Sequence, residues 1–140
     1  MIEIVHNIIQ TLTAAPKKLF LTDSLGAALT AFFMFVILKS FNQYVGMPET
    51  ILTYLSLLAA SFSLYSAICF FLLKEKRASF IQGIAVANIL YCVLTLFLLI
   101  IYYKQLTIIG ITYFSVEIAI VCGLAYIEFC VAKAIDTNKR

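Results

Sequence analysis

Four long apolar runs, each closed by a basic residue, constrain this chain more than any other feature. They cover about residues 19–38, 50–73, 78–103 and 107–132. A helix rises about 1.5 Å per residue, so about 20 residues cross the ~30 Å hydrocarbon core of a bilayer. Every run is that long, and the longer ones fit with some tilt. The first opens after Lys17-Lys18 and stops at Lys39, and the second stops at Lys74-Glu75-Lys76-Arg77. The third stops at Lys104 and the fourth at Lys133. Between the first two lies Gly46-Met47-Pro48, and Pro48 suits a helix's first turn, where a missing N–H costs nothing.

The runs read as helices and not as barrel strands. Membrane strands alternate polar and apolar residues over about ten positions, whereas Val93–Tyr103 is interrupted only by Thr95. In lipid every backbone polar group needs a partner, and a helix supplies them all within one segment. The expected fold is therefore all-α: a polytopic membrane protein with a four-transmembrane-helix bundle over residues 19–133 and a short N-terminal interfacial helix in 1–18. A cytoplasmic tail over 134–140 completes it. In 1–18, Ile2, Val5, Ile9 and Leu12 recur at helical spacing, with Ile4 and Ile8 widening the stripe and Glu3, Asn7 and Gln10 opposite. This suits a helix lying on the membrane surface and ending near Pro16, and it suits a cap packed over the bundle end equally well. It does not read as a secretory signal, because its positive charge follows the apolar part and no small-residue cleavage site appears.

Composition removes whole classes of function. Of 140 residues, 64% are hydrophobic and 12% charged, and the mean hydropathy is +1.05. A small soluble domain has too little interior for that much apolar surface. A soluble enzyme, a nucleic-acid binder and a disordered chain are excluded, and the net charge of +3, spread along the chain, leaves no nucleic-acid footprint. Cys69, Cys92, Cys122 and Cys130 all fall in apolar runs without a C-x-x-C pair and read as small buried apolar residues. A vitamin-K-reductase-type centre would need such a pair, and a bis-histidine haem would need more than the lone His6. No cofactor and no metal site are expected.

Orientation follows from lysine and arginine. Lys17, Lys18, Lys74, Lys76, Arg77, Lys133, Lys139 and Arg140 fall on one side of the four spans, and only Lys39 and Lys104 on the other. Eight against two places both termini in the cytoplasm by the positive-inside rule. Tyr102 and Tyr103 then sit at the outer interface.

Ionisable groups within spans are costly and face the bundle interior or a water-filled cavity. Three occur, Asp23, Glu117 and Glu128. Glu117 is near mid-bilayer, where an ionised carboxylate costs about 2.5–3.5 kcal/mol on insertion scales. Glu117 and Glu128 are 11 residues apart, three helical turns, so they share one face with Gly110, Tyr113, Val121 and Leu124. Asp23 and Glu128 each lie four residues inside the cytoplasmic end of their spans. Two readings stay open for that pair. They snorkel toward Lys17, Lys18 or Lys133, or, if their helices are adjacent, they meet or share a proton. Near Glu117 in depth are Tyr91 and Cys92, with Asn88 one turn below, while Ser61 and Tyr65 lie one turn apart on the second span. A polar core of Tyr65, Asn88, Tyr91, Tyr113 and Glu117 is the candidate ligand or ion site. Its plainer counterpart is interhelical glue, about 0.6 kcal/mol per polar group. Gly26-Ala27 and Gly83…Ala87 look like small-residue packing contacts.

Four stretches together carry a resemblance: Asp23-x-x-Gly26-Ala27, Gly46-Met47-Pro48, Ala87-Asn88-x-x-Tyr91-Cys92 and Leu106-Thr107-x-x-Gly110-x-x-Tyr113-Phe114-x-x-Glu117. With them the chain resembles a group of small four-helix inner-membrane proteins of Bacteroidota-type bacteria, over residues 19–128. The resemblance implies a bacterial inner membrane and points to the same residues. It implies no activity.

Three functions compete. The first is small-solute or ion binding and transport, with Glu117 as the proton- or cation-coupled group and Asn88 and the tyrosines lining a small cavity. Four short helices enclose little volume, so this reading expects a homo-oligomer in contact with membrane lipid. The second is a non-catalytic accessory or assembly subunit, whose polar stripe on the fourth span meets a membrane-protein partner. The third is an intramembrane enzyme using Asp23 and Glu128 on a lipid, without any D-D-x-x-D pair, histidine cluster or nucleophile elbow to support it. The first is preferred and a catalytic role is not expected.

Overall fold

The computed structural model describes residues 1–72 and 78–138. Five of the eight basic residues used for orientation, Lys74, Lys76, Arg77, Lys139 and Arg140, lie outside the described residues, as does Leu73. The described residues form helices and turns without a strand. The helices are α1 (Ile2–Ala14), α2 (Pro16–Phe32, continued by a π-helical segment Phe33–Leu38), α3 (Asn42–Val45), α4 (Glu49–Leu72), α5 (Ala78–Ile101) and α6 (Ile108–Asn138). Four are long and apolar enough to cross a membrane, by length and composition: Pro16–Leu38, Glu49–Leu72, Ala78–Ile101 and Ile108–Asn138. That is the architecture of a multi-pass membrane protein.

Boundaries follow local chemistry. Ala15 (φ −134°, ψ 72°) separates α1 from α2. The residue before a proline is pushed out of the helical region, and Pro16 then starts the next helix at its first position. α6 runs six residues past the expected end at Ala132, because no Gly or Pro in 133–138 stops it. At 31 residues it is about 46 Å long at 1.5 Å per residue, longer than a bilayer core.

α2 packs along α4, and α5 along α6, while the contacts α4–α5 and α2–α6 are sparse. A reciprocal clamp joins the first pair: the Ser24 hydroxyl donates to the Ser63 carbonyl at 3.0 Å, and Ser63 returns the bond to Ser24 at 2.9 Å. α1 packs on α6 and α2, with Ile9 and Leu12 against the apolar cluster that contains Leu19, Phe20 and Ile135.

The interior is two apolar clusters with a polar layer between. At the α1 end, Leu19, Phe20, Cys69, Ile81, Ile84, Val131 and Ile135 pack together. At the other end, Met34, Leu38, Met47, Leu52, Leu55, Tyr91 and Phe114 do. Every long helix passes from one cluster to the other through a buried polar side chain: Asp23, Ser66, Asn88, and Glu117 with Glu128. The far end is locked by the α3 loop. Gly46 adopts φ +85°, where only glycine is comfortable, and a Cβ there would overlap the Gln105 carbonyl. The Thr107 amide donates to the Val45 carbonyl at 3.1 Å, and a Cβ on Gly110 would run into that same carbonyl.

Outward faces are apolar, with Leu64, Phe71, Phe97, Ile108 and Ile120 all exposed. In water such a surface is an aggregation liability.

Candidate functional site

Asp23, Ser66, Asn88 and Glu128 converge from α2, α4, α5 and α6, and each is at least nine-tenths buried. The Asn88 amide nitrogen donates to Asp23 Oδ1 at 3.1 Å and to Glu128 Oε2 at 3.0 Å, with Oε1 at 3.3 Å. The Ser66 hydroxyl donates to Asp23 Oδ2. The two carboxyls therefore do not snorkel to Lys17, Lys18 or Lys133. The reason is local: Asn88 and Ser66 offer donors inside the bundle, so both carboxyls find partners without reaching the boundary. No Lys or Arg is among the buried described residues, so Asn88 and Ser66 are the donors that the two carboxyls find.

A third carboxyl, Glu117, stands nearer the far end. The Tyr91 hydroxyl donates to Glu117 Oε1 at 2.8 Å. Tyr91 is held by Phe62, edge-on at 6.1 Å between ring centroids, and by Met34, whose Sδ lies 3.7 Å from its hydroxyl. Met34 sits in the π segment, where the Lys39 amide bonds back to the Met34 carbonyl. Such widened turns recur at functional sites. Glu117 is 7% exposed, and its Oε2 is buried with no hydrogen-bond partner among the described residues. A buried orphan oxygen costs about 1–3 kcal/mol, more if charged, so it asks for an explanation.

A cavity of about 80 Å³ lies between the two carboxyl settings. Asp23, Asn88, Tyr91 and Glu117 supply its polar wall, and Gly26, Ala27, Ala59, Phe62 and Leu124 much of the rest. A second, more open hollow of about 350 Å³ lies between α2 and α6, lined by Leu29, Phe33, Tyr113, Val116 and Ile120. Thr30, Glu117, Ile120 and Val121 belong to both.

The structure thus brings Asp23, Asn88, Tyr91 and Glu117 to one cavity, with Glu128 behind Asn88. Tyr113 lines the outer hollow beside Glu117. Tyr65 stands apart: it is 42% exposed, and its hydroxyl faces Gly83 of α5, outside both spaces. Ser61 is turned outward and bonds the Leu57 carbonyl of its own helix at 2.9 Å. Ser66 and Thr30 were missed by sequence reasoning. Ser66 was findable, since Leu52, Leu55, Ala59, Phe62, Ser66 and Cys69 follow one helical face at spacings of three and four. Gly26 is not a packing contact, because a Cβ there would meet nothing within 4 Å. It widens the cavity instead.

All four cysteines are free, Cys69 and Cys92 buried, and Cys122 and Cys130 half-buried. His6 is exposed and pairs with Gln10 at 3.0 Å. Among the described residues, no group of three His, Cys, Asp or Glu side chains is placed to hold a metal ion. No protein-family model matches the chain, and neither does any curated protein or solved structure.

Proposed function

We propose that this chain is a multi-pass membrane protein that binds a small solute or cation at an intramembrane carboxylate site, and passes it across or into the bilayer. The observation that carries the reading is the Glu117 carboxyl: Tyr91 holds one oxygen, the other is buried without a partner among the described residues, and the residue lines a cavity. A purely structural glutamate would have both oxygens satisfied, since burial of an unmade bond is the expensive outcome. Glu117 is the binding group. Tyr91 fixes its rotamer, and Asn88 with Asp23 and Glu128 forms the opposite polar wall.

The membrane setting rests on the four apolar spans and their apolar outer faces. The eight-to-two basic asymmetry supports cytoplasmic termini, and the resemblance noted above supports a bacterial inner membrane. α1, with Ile2, Ile4 and Ile8 turned outward, would lie at the interface while capping the bundle. An accessory subunit would turn the α6 stripe toward a partner. Burial of Glu117 and Glu128 among this chain's own helices supports the binding reading instead. The small enclosed volume supports self-association to complete a path.

The test is Glu117→Gln in proteoliposomes, with an internal pH dye and imposed gradients of Na⁺, K⁺ or methylammonium. The wild-type chain is expected to give a flux or a saturable binding signal that the variant lowers at least ten-fold. Gln keeps an oxygen for Tyr91, so folding is preserved. Equal signals in both proteins would remove the proposal.

A further inference from the structure

The geometry points to a lipophilic ammonium compound as the ligand, entering sideways from the bilayer between α2 and α6. This rests on the proposed function above and names its substrate class. Three observations carry it.

The first is size. Ligand pockets for drug-sized molecules run to about 300–1,000 Å³. The inner cavity, at about 80 Å³, takes only a small polar head. The outer hollow, at about 350 Å³, takes an apolar body. A molecule using both must be divided in the same way.

The second is continuity. Thr30, Glu117, Ile120 and Val121 line both spaces, so the Glu117 side chain, which carries the orphan oxygen, stands where they join. The hollow opens where the backbones of α2 and α6 make only sparse contact. Its rim is apolar and faces outward, with Leu29 at 58% and Ile120 at 66% exposure. On a spanning helix that face meets acyl chains, so the entrance admits what is already dissolved in lipid.

The third is charge. Asp23, Glu117 and Glu128 are buried, and no Lys or Arg is among the buried described residues. An ammonium head would supply both the missing positive charge and a donor for Glu117 Oε2. Charge-assisted bonds of this type are about twice as strong as neutral ones. A neutral alcohol supplies the donor without the charge. A small hydrophilic cation supplies the charge without any use for the hollow.

The experiment uses the full chain in phosphatidylcholine nanodiscs, titrated calorimetrically with octylamine, octanol and methylamine, with empty nanodiscs subtracted. Octylamine is expected to bind at least ten-fold more tightly than either of the others. Glu117→Gln is expected to weaken it at least ten-fold. Ile120→Trp, which fills the rim from an outward position, is expected to do the same, while Leu96→Trp on the outer face of α5 leaves it unchanged. Thermal unfolding of each variant checks that the fold is retained. Methylamine binding as tightly as octylamine, and dependent on Glu117, would overturn lateral lipophilic entry yet leave the carboxylate-site function standing. Octanol equalling octylamine would overturn the cationic head, and an Ile120→Trp variant that binds normally would overturn the entrance. No Glu117-dependent binding of any probe would remove both proposals.

Discussion

Glu128 and Glu117 lie on one face of one helix, three turns apart, and the bundle treats them in opposite ways. Glu128 meets an amide that also serves Asp23, and Ser66 completes the Asp23 side. Its polar groups are closed on one another. Glu117 has one partner, Tyr91, and one oxygen with none among the described residues. The difference teaches which acid holds the fold and which is kept for something else. A satisfied buried network rigidifies and specifies packing, whereas a half-satisfied one is a standing cost. A cost of that kind persists where it is relieved by a bound species or used in function.

The largest way to break the comparison is Asn88→Leu. One amide bridges two carboxyls from α2 and α6, so its loss leaves both buried without their common donor. Removing one partner of a buried charged network costs about 3–5 kcal/mol. Unfolding in detergent, followed by helical signal against denaturant, is expected to show that loss. Glu117→Gln under the same conditions is expected to change stability by less than about 1 kcal/mol, because the Tyr91 bond survives and no closed network is opened. If the two variants were equally destabilised, the distinction between a structural and a reserved carboxyl would fall.

Tyr91→Phe comes next. It keeps the ring against Phe62 and deletes the only side-chain donor to Glu117 among the described residues. Leaving a buried acceptor unmade costs about 1–3 kcal/mol. In a cycle with Glu117→Leu, the Tyr91→Phe loss is expected to shrink by about 1 kcal/mol or more, since the bond is already gone. Additive losses would mean that the phenol acts through packing alone.

Much of this site was legible in the sequence, and the unread part has one physical cause. The 11-residue spacing placed Glu117 and Glu128 together, and equal depth matched Asp23 to Glu128. Residues of known height on a span can be read without knowing its rotation. Rotation is harder, because outside lipid and inside packing are both apolar, so periodicity loses the contrast it has in a soluble helix. α4 shows the effect. It carries Ser56, Ser61, Ser63 and Ser66 on several faces, and a serine in lipid can satisfy itself on its own helix, as Ser61 does with Leu57. Tyr65 and Ser61 were therefore indistinguishable from Ser66 as inward groups until neighbouring helices were in place. The sparse α2–α6 contact is a property of helix order, which no single span encodes.

The smallest effect has the sharpest sign. Gly26 lies one turn from Asp23 on α2, between the two carboxyl settings, and lines the cavity. As a helix-packing glycine it would resist any added methyl group, as Gly110 must, where a Cβ would overlap the Val45 carbonyl. At Gly26 a Cβ meets nothing within 4 Å. Glycine inside a helix is less stable than alanine by about 0.5–1 kcal/mol, chiefly through backbone entropy. Gly26→Ala is therefore expected to raise the thermal midpoint slightly, while Gly110→Ala lowers it. A fall at Gly26 would show that the helices close there and that no space separates Asp23 from Glu117. A rise would mean that the chain forgoes a stabilising side chain at a position that lines the cavity shared by both acids.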